Sequence, residues 1–311
     1  MIIQLIVDRL KQLIPALLGV ALVTFLLVHL IPGDPVALLA GDRASPETIA
    51  AVKTRYGLDQ PIVVQLFYYL KNIAMGDLGQ SLRFRIPVTE LILQHLWPTA
   101  LLMIMTILIT IPCAIILAAL AASHQDRPLD HAIRAFSVAG IAIPVFWIGI
   151  VLARIFSVQL GWFPVAGFGE GLWDNVYHLV LPSITLAIGI VPVLARNLRA
   201  SLLEMMEADF VTAARSKGVP ESYIFKRHVF MNALIPNLQL FGVIVAFLFG
   251  GTIVVEKVFA IPGIGQLLIS SILGRDYYVV LGLTFFFAVF TMLVMLIVDL
   301  VSMLIDPRLR S

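Results

Sequence analysis

Charge and cysteine are both scarce in this chain of 311 residues. Charged residues make up 13% of the sequence, whereas soluble domains carry about 25%. The single cysteine, Cys113, excludes an internal disulfide. The formal net charge is only +2, which gives no reason to expect a nucleic-acid partner.

The sequence signatures of a reaction centre are also missing. A phosphate loop of the form G-x-x-x-x-G-K-[ST] is absent, so we expect this chain not to bind ATP in the usual way. The sequence has no H-E-x-x-H, no cysteine cluster and no evident Ser/His/Asp set. We therefore expect no enzyme activity, no metal and no cofactor in this chain, and any energy would have to come from partner proteins.

Long uncharged runs are what the sequence has in abundance. Hydrophobic residues make up 60% of the chain, and the mean hydropathy is +1.00. A helix needs roughly 20 apolar residues to cross hydrocarbon, and six runs without Asp, Glu, Lys or Arg come close to or exceed that length. They are 12–33, 91–125, 135–153, 175–195, 228–255 and 277–298. The prediction is an all-α integral membrane protein with six transmembrane helices, because backbone polar groups in hydrocarbon must be satisfied within helices.

The distribution of Lys and Arg predicts the orientation in the membrane. With the amino end inside, the two short outer loops carry only Lys257 and Arg275, and the inner segments carry many more. This is the positive-inside pattern, so both termini are predicted to be cytoplasmic. Arg9 and Lys11 precede the first apolar run without a small-x-small cleavage site, and we expect an uncleaved first helix.

Three stretches follow from these predictions: residues 1–31 with the first span, an extracytoplasmic helical segment at 32–95, and a five-helix core at 96–311. In the outer segment, Ser45 can cap a helix that ends near Gly57.

A second outer helix is predicted from about Pro61, and Pro87 can begin a third short helix that leads into the second span near Trp97. The second helix has apolar residues at helical spacing on one face. They are Ile62, Leu66, Tyr69, Leu70 and Ile73.

The inner segment 196–235 is too long and too charged to be a simple connector. A short helix is predicted around Asp209, and Gly218 permits the left-handed conformation that ends it. Pro220 and Glu221 restart a helix, since Pro is tolerated at the first helical position and Glu favours the first turn. The two helices should meet at a corner that exposes apolar and basic side chains together. On periodicity alone, an amphipathic loop lying on anionic lipid is an equally good interpretation.

Short motifs connect the chain to a known family. Thr212-Ala213-Ala214-x-x-x-Gly218 resembles the Glu-Ala-Ala-x-x-x-Gly loop of ABC importer membrane subunits, with Thr212 at the Glu position. Further motifs resemble the dipeptide, oligopeptide and nickel branch, in order, over nearly the whole chain. They are Pro32-Gly33-Asp34-Pro35, Tyr56-Gly57-Leu58-Asp59-Gln60-Pro61, Gly76-Asp77-Leu78-Gly79-Gln80-Ser81, Pro87-Val88, Val255-Glu256-Lys257-Val258-Phe259, Pro262-Gly263-Ile264-Gly265, Arg275-Asp276-Tyr277 and Asp306-Pro307-Arg308.

The resemblance implies the first of two homologous membrane subunits of a bacterial ABC importer, in the cytoplasmic (inner) membrane. The implied partners are the second membrane subunit, two ATP-binding subunits that hold ATP and Mg, and an extracytoplasmic substrate-binding protein. In the family, the inner loop forms a coupling helix in a groove of the ATP-binding subunit. The implied coupling residues are Asp209, Thr212, Ala213, Ala214, Lys217, Gly218, Val219 and Pro220.

The resemblance also frames the substrate and the rival functions. Di- or oligopeptides lead on family frequency, while nickel chelates, glutathione and opine-like compounds use similar subunits. An ATP-independent secondary carrier would predict paired carboxylates deep in the helices, and the sequence shows none. A membrane scaffold fits the apolar helices but accounts less well for the inner segment. The outer segment 32–95 is expected to contribute to the docking face for the binding protein.

Isolated features inside the spans have two interpretations each. Gly250-Gly251-Thr252 can serve close helix packing, which we favour, or a hinge in the pathway. Arg154 is either a functional charge inside the membrane or, as we expect, a side chain that extends to the outer interface. His29 and Asp299 are expected to be interfacial or paired with another helix.

Overall fold

The structure, a computed structural model, describes residues 2–30, 47, 50, 53–54 and 59–305. Within these residues the secondary structure is helical, apart from an isolated bridge between Gln80 and Pro87. The all-α prediction is confirmed for this part of the chain. Two compact units result and are described separately: Met1–Trp97 with Pro262–Leu293, and Pro98–Ile261 with Val294–Ser311.

The helices follow the apolar runs of the sequence. They are α1 (Ile2–Leu30), α2 (Ile62–Ala74), α3 (Val88–Ser123), α4 (Pro128–Ala142), α5 (Val145–Leu152), α6 (Leu172–Met206), α7 (Asp209–Ser216), α8 (Glu221–Tyr223), α9 (Met231–Val258), α10 (Ile264–Leu273) and α11 (Tyr277–Ile305). Two π-helical stretches, Ala153–Gln159 and Ile224–Phe230, continue α5 and α8.

Among the described residues, four helices are long and apolar enough to cross a membrane, or five spans if one bent pair is counted. The four are α3, α6, α11 and the continuous stretch Glu221–Val258. The bent pair corresponds to the third predicted span, for which the sequence predicts a single helix. That prediction was wrong in detail, because the axis bends by 101° between α4 and α5.

Proline chemistry explains the bend. Pro144 has no backbone N–H, and its ring disfavours the helical conformation of the residue before it. Ile143 accordingly adopts an extended conformation with φ −87° and ψ 128°. The helix therefore ends at Ala142 and restarts at Val145.

In the first unit, α1 and α2 pack around an aromatic contact. Phe25 of α1 is buried and stacks on Tyr69 of α2 with ring centroids 5.5 Å apart. Burial raises the pKa of the Tyr69 phenol to about 12. His29 Nε2 lies 3.1 Å from Gln65 Oε1 of α2, which confirms the expectation that His29 is helix-paired.

The outer helices agree in part with their predictions. Pro61 caps α2, and Gly76, with φ +79°, follows its last turn. Of the predicted apolar face, Leu66 and Tyr69 pack on the core of the first unit, whereas Ile62 is 48% exposed. Of the predicted helix from Ser45 to Gly57, only residues 47, 50, 53 and 54 are described, and these four are helical.

The helix predicted from Pro87 into the second span is present, but it is not a short helix of its own. Instead, α3 runs without a break from Val88 to Ser123. Residues 88–97 contain no Gly or Pro, and Pro98 lies within the helix without ending it, so the helix that follows Pro87 continues into the apolar run.

In the second unit, glycines let helices approach closely. A Cβ on Gly140 of α4 would lie 2.7 Å from Pro192 Cγ of α6. A Cβ on Gly242 of α9 would lie 2.6 Å from Val298 Cγ2 of α11. Such short distances mean that the backbones occupy the space of a side chain, which is the usual way in which membrane helices gain packing contact.

Candidate functional site

The inner segment forms the corner that the sequence predicts. Helix α7 ends in a Schellman motif: the N–H of Gly218 donates to the carbonyl of Arg215 at 2.9 Å, and the N–H of Val219 donates to that of Ala214 at 3.2 Å. This motif requires a left-handed residue, and Gly218 supplies it with φ +74°. Pro220 then caps α8, so the chain turns sharply between two helices.

One side of the corner is anchored in the protein. Val211 of α7 and Ile224 are buried in an apolar cluster with Leu198 and Leu202 of α6. The same cluster includes Ala118 of α3. Burial of this side fixes how α7 lies against the neighbouring helices, since apolar burial contributes about 25 cal/mol for each Å² removed from water.

The other side of the corner faces outward. Of the eight coupling residues that the resemblance implies, six are exposed and two, Ala214 and Val219, are half-buried against the cluster. The exposed six are Asp209, Thr212, Ala213, Lys217, Gly218 and Pro220. Sequence reasoning did not select Phe210, whose side chain is 41% exposed on the same helix. An exposed Phe beside charged residues is a feature that the sequence could have signalled.

An ion pair bridges the two helices of the corner. Arg215 Nε donates to Glu221 Oε1 at 2.7 Å, and Arg215 Nη2 donates to Glu221 Oε2 at 3.2 Å. The hydrogen bond and the charge of Glu221 raise the pKa of the Arg215 guanidinium. Both side chains are exposed, so the pair contributes little stability, but its bidentate geometry orients one helix on the other.

The Gly250-Gly251-Thr252 stretch lies elsewhere, in an unbroken part of α9. Gly250 lies about 28 Å along the helix axis from Met231, at a rise of 1.5 Å per residue. A Cβ on Gly251 would make ordinary contact with Leu186 Cδ2 at 3.5 Å, while one on Gly250 would meet no atom within 4 Å. Thr252 is buried and donates to the carbonyl of Phe249 at 2.8 Å. The structure therefore does not bring these residues together with the corner.

Sequence reasoning missed a buried ion pair near the corner. The loop at 123–131 looks like a short polar connection, yet Asp130 is fully buried and receives two hydrogen bonds from Arg199 of α6. The position of Asp130 in the first turn of α4 suggests only a favourable helix dipole contact. Nothing in the local sequence signals a partner 69 residues away.

Two further buried carboxylates, Asp276 and Glu256, lie in motifs on which the family resemblance rests. Asp276, in Arg275-Asp276-Tyr277, accepts hydrogen bonds from Ser81 Oγ at 2.5 Å and from the N–H groups of Leu82 and Arg83 at 3.1 Å each. In the second unit, Glu256 is fully buried and accepts a hydrogen bond from Thr99 Oγ1 at 2.6 Å. Buried charges need such partners, so both motifs have a structural role.

No group of three or more His, Cys, Asp or Glu side chains placed to hold a metal ion occurs among the described residues. Apolar spans and an exposed helical corner on a buried base define the class: a multi-pass membrane protein with a charged helical corner between two of its long apolar helices.

Comparison with known proteins identifies the family. Residues 111–311 match the binding-protein-dependent transport system inner membrane component family, and residues 2–103 match the N-terminal family of the same membrane components. The chain belongs to this family, and it is therefore a membrane subunit of an ABC importer, located in the inner membrane. The resemblance drawn from the sequence is confirmed.

Individual relatives cover the whole chain. A peptide transport system permease protein of Brucella melitensis is 41% identical over 313 aligned residues, covering 100% of this chain and 99% of the relative. Its counterpart in Brucella abortus is 42% identical over 98% of both chains. A glutathione transport system permease protein of Salmonella choleraesuis is 39% identical, also over 98% of both. These relatives are permeases, so this chain is a transporter subunit and not itself an enzyme. The same findings exclude the secondary-carrier and membrane-scaffold alternatives.

Proposed function

We propose that this chain is one of two homologous membrane subunits that import short peptides, driven by two ATP-binding subunits that dock at the Gly218 corner. The observation that carries the proposal is the geometry of the corner. Its inner side is buried against α6, and its outer side presents Phe210, Ala213 and Lys217 to solvent. A rigid helix with small and apolar exposed residues suits a groove in a partner protein.

Gly218→Asp tests this docking. The left-handed conformation costs a non-glycine residue about 1–2 kcal/mol, and the new carboxylate adds charge at the contact. The matched control is Gly161→Asp, since Gly161 also has positive φ, +64°, and open space around it, but lies in the loop after Gln159. Affinity purification of the chain, co-expressed with its ATP-binding subunits, measures the result.

We expect the parent chain and Gly161→Asp to retain the ATP-binding subunits and Gly218→Asp to lose them. A graded result should come from Gly218→Asn, because Asn tolerates the left-handed conformation best after Gly. Normal recovery of the ATP-binding subunits and normal transport in Gly218→Asp would contradict docking at the corner.

The proposed topology has six spans with both termini in the cytoplasm. The four long helices, the bent pair α4–α5 and the helix α1 supply six crossings. Cysteine labelling can test this, since Cys113→Ser leaves a chain without cysteine. A cysteine at Ser216 should react from the cytoplasmic side only, and one at Trp173, which is 84% exposed, from the outer side only. Labelling of both from one side would refute the topology.

We propose that the outer segment docks the substrate-binding protein through the loop at 81–86. Asp276 holds this loop against the residues before α11, and a Cβ on Gly274 would lie 3.6 Å from Arg83 Nη1. The adjacent surface combines exposed Phe84 and Leu273 with Arg83 and other basic residues. Its charge favours an acidic surface on the binding protein.

Charge reversal can test this surface. Arg83→Glu should weaken binding of the substrate-binding protein to the reconstituted complex, and the salt dependence of binding should fall with it. Lys257→Glu makes the same charge change at an exposed position of the other unit and serves as the control. Equal binding by Arg83→Glu and the parent complex would exclude this surface.

The proposed substrates are di- or oligopeptides, supported by the names of the Brucella relatives. The Salmonella relative supports a second candidate, glutathione, which is itself a tripeptide. Uptake of a labelled tripeptide into proteoliposomes, with glutathione as competitor, distinguishes the two. Nickel chelates and opine-like compounds form the comparison set, and uptake of one of these in preference to both peptides would refute the proposal.

A further inference from the structure

An ion pair between the buried carboxylate of Asp130 and the partly buried Arg199 joins the first turn of α4 to the C-terminal part of α6. Arg199 Nε donates to Asp130 Oδ1 at 2.7 Å, and Arg199 Nη2 donates to Asp130 Oδ2 at 2.5 Å. The N–H of Asp126 donates to the same carboxylate at 3.1 Å, and Arg134 Nε lies 3.8 Å from it. A guanidinium fork on a carboxylate fixes both the distance and the relative orientation of the two helices.

We propose that Asp130 and Arg199 are positioning residues that carry movement of the inner corner into α4 and its bend. This rests on the proposed function, because docking of the ATP-binding subunits at the corner is the source of the movement. Stability alone is a weak reason for such a pair. Removing the Asp130 carboxylate fully from water, and the Arg199 side chain to 15% exposure, costs several kcal/mol, and apolar residues of similar volume are often at least as stable.

The first link runs from the corner to Arg199. Val211 of α7 is fully buried and packs in one cluster with Leu198 and Leu202 of α6. Arg199 lies within one helical turn of both leucines, since a turn takes 3.6 residues. Helix α6 is continuous from Leu172 to Met206. A displacement of α7 that shifts Leu198 and Leu202 therefore also shifts the Arg199 guanidinium.

The second link runs from Asp130 to the bend. Helix α4 carries Asp130 in its first turn and Gly140 near its end, about 15 Å apart along the axis. A Cβ on Gly140 would lie 2.7 Å from Pro192 Cγ and 3.2 Å from the carbonyl oxygen of Ile188. Helix α4 is thus fixed to α6 at two points and moves with it as one body. The bend of 101° follows directly after α4.

Transport per ATP hydrolysed is the measurement that tests this role. The complete complex, with its ATP-binding and substrate-binding proteins, is reconstituted in proteoliposomes with Asp130→Asn or Arg199→Lys. We expect the ATP-binding subunits to stay bound and hydrolysis to continue, while transport per ATP falls by about tenfold, within the 5–150-fold range of coupling between sites. Arg196→Gln is the control, since Arg196 is an exposed arginine of α6, the helix that also carries Arg199.

A second measurement reports movement of α4 directly, through a fluorescent label. Ile141 is 48% exposed, so Cys113→Ser with Ile141→Cys places a single fluorescent label on the end of α4. A change of the label signal on ATP addition is expected in this parent, and Asp130→Asn should abolish it. A purely stabilising pair would lower the melting temperature without uncoupling the label from ATP.

The outcomes separate this inference from the function on which it rests. If even the parent complex fails to bind ATP-binding subunits, both fail. If they bind, and Asp130→Asn keeps normal transport per ATP and the label response, the inference alone is overturned. Should Asp130→Asn not fold, the neutral double variant Asp130→Asn, Arg199→Gln replaces it. Reduced transport per ATP in that variant supports the role, and normal transport overturns it.

Discussion

The network around Asp276 provides a sharp test of how the loop at 81–86 is held. Ser81 Oγ donates to Asp276 Oδ2 at 2.5 Å and accepts a hydrogen bond from the N–H of Phe84 at 2.9 Å. Ser81→Ala removes both hydrogen bonds without adding volume. Ser81 and Asp276 are 1% exposed each, so water can replace the lost hydroxyl at the carboxylate only if the loop opens.

The size of the effect follows from the two bonds. A hydrogen bond to a charged group contributes about 1.5–3 kcal/mol, and a neutral one contributes about 1 kcal/mol. Because the hydrogen bond from the Phe84 N–H is only partly buried, water can partly replace it. We therefore expect Ser81→Ala to destabilise the closed loop by about 2–3 kcal/mol, which is roughly a 30- to 150-fold increase in its opening, at 1.36 kcal/mol for each tenfold.

Hydrogen exchange measures this opening at the amides concerned. The N–H groups of Leu82, Arg83 and Phe84 are all bound within the network, so a peptide covering 81–86 should exchange faster in Ser81→Ala. Ser270→Ala is the matched control, since Ser270 Oγ donates only within its own helix, to the carbonyl of Leu267 at 2.9 Å. Unchanged exchange of 81–86 in Ser81→Ala, or an equal increase in Ser270→Ala, would refute the assigned role of the network.

The remaining predictions concern packing in the second unit. Gly140→Ala places a Cβ 2.7 Å from Pro192 Cγ and should lower stability by about 1–3 kcal/mol, read as a lower melting temperature in detergent. Gly250→Ala meets no atom within 4 Å and should leave stability equal or higher, because Ala is favoured over Gly in helices by about 1 kcal/mol. Loss of transport in Gly250→Ala despite normal stability would instead indicate a hinge. Thr99→Val removes a donor from buried Glu256 and should cost about 1.5–3 kcal/mol, whereas Thr99→Ser should cost less. Equal melting temperatures for the two Thr99 variants would contradict this.

The corner at Gly218 could be predicted because its signals are local. A left-handed Gly, a Pro at the restart of the helix and a Glu in the following turn act within a few residues of one another. The start of α2 after Pro61 was predicted for the same reason. The bend in the third span also has a local cause, Pro144, but its angle depends on how α4 and α5 each pack on α6.

The buried carboxylates could not be predicted, because their partners are distant in sequence. Asp276 lies 195 positions from Ser81, and Asp130 lies 69 positions from Arg199. In the sequence each is one acidic residue near a helix end, a position in which most such residues are solvated. Only packing decides which of them are removed from water and must therefore find hydrogen-bond donors.

The amino-acid sequence by itself determined the class of protein, the helical runs and the corner at Gly218, since hydrophobic run length, proline and glycine act within a single helix or turn. Tertiary structure decided which side chains meet. It placed the guanidinium of Arg199 on Asp130 and the outer loop on Asp276, because contacts between helices depend on how whole faces pack, and no window of sequence contains both partners.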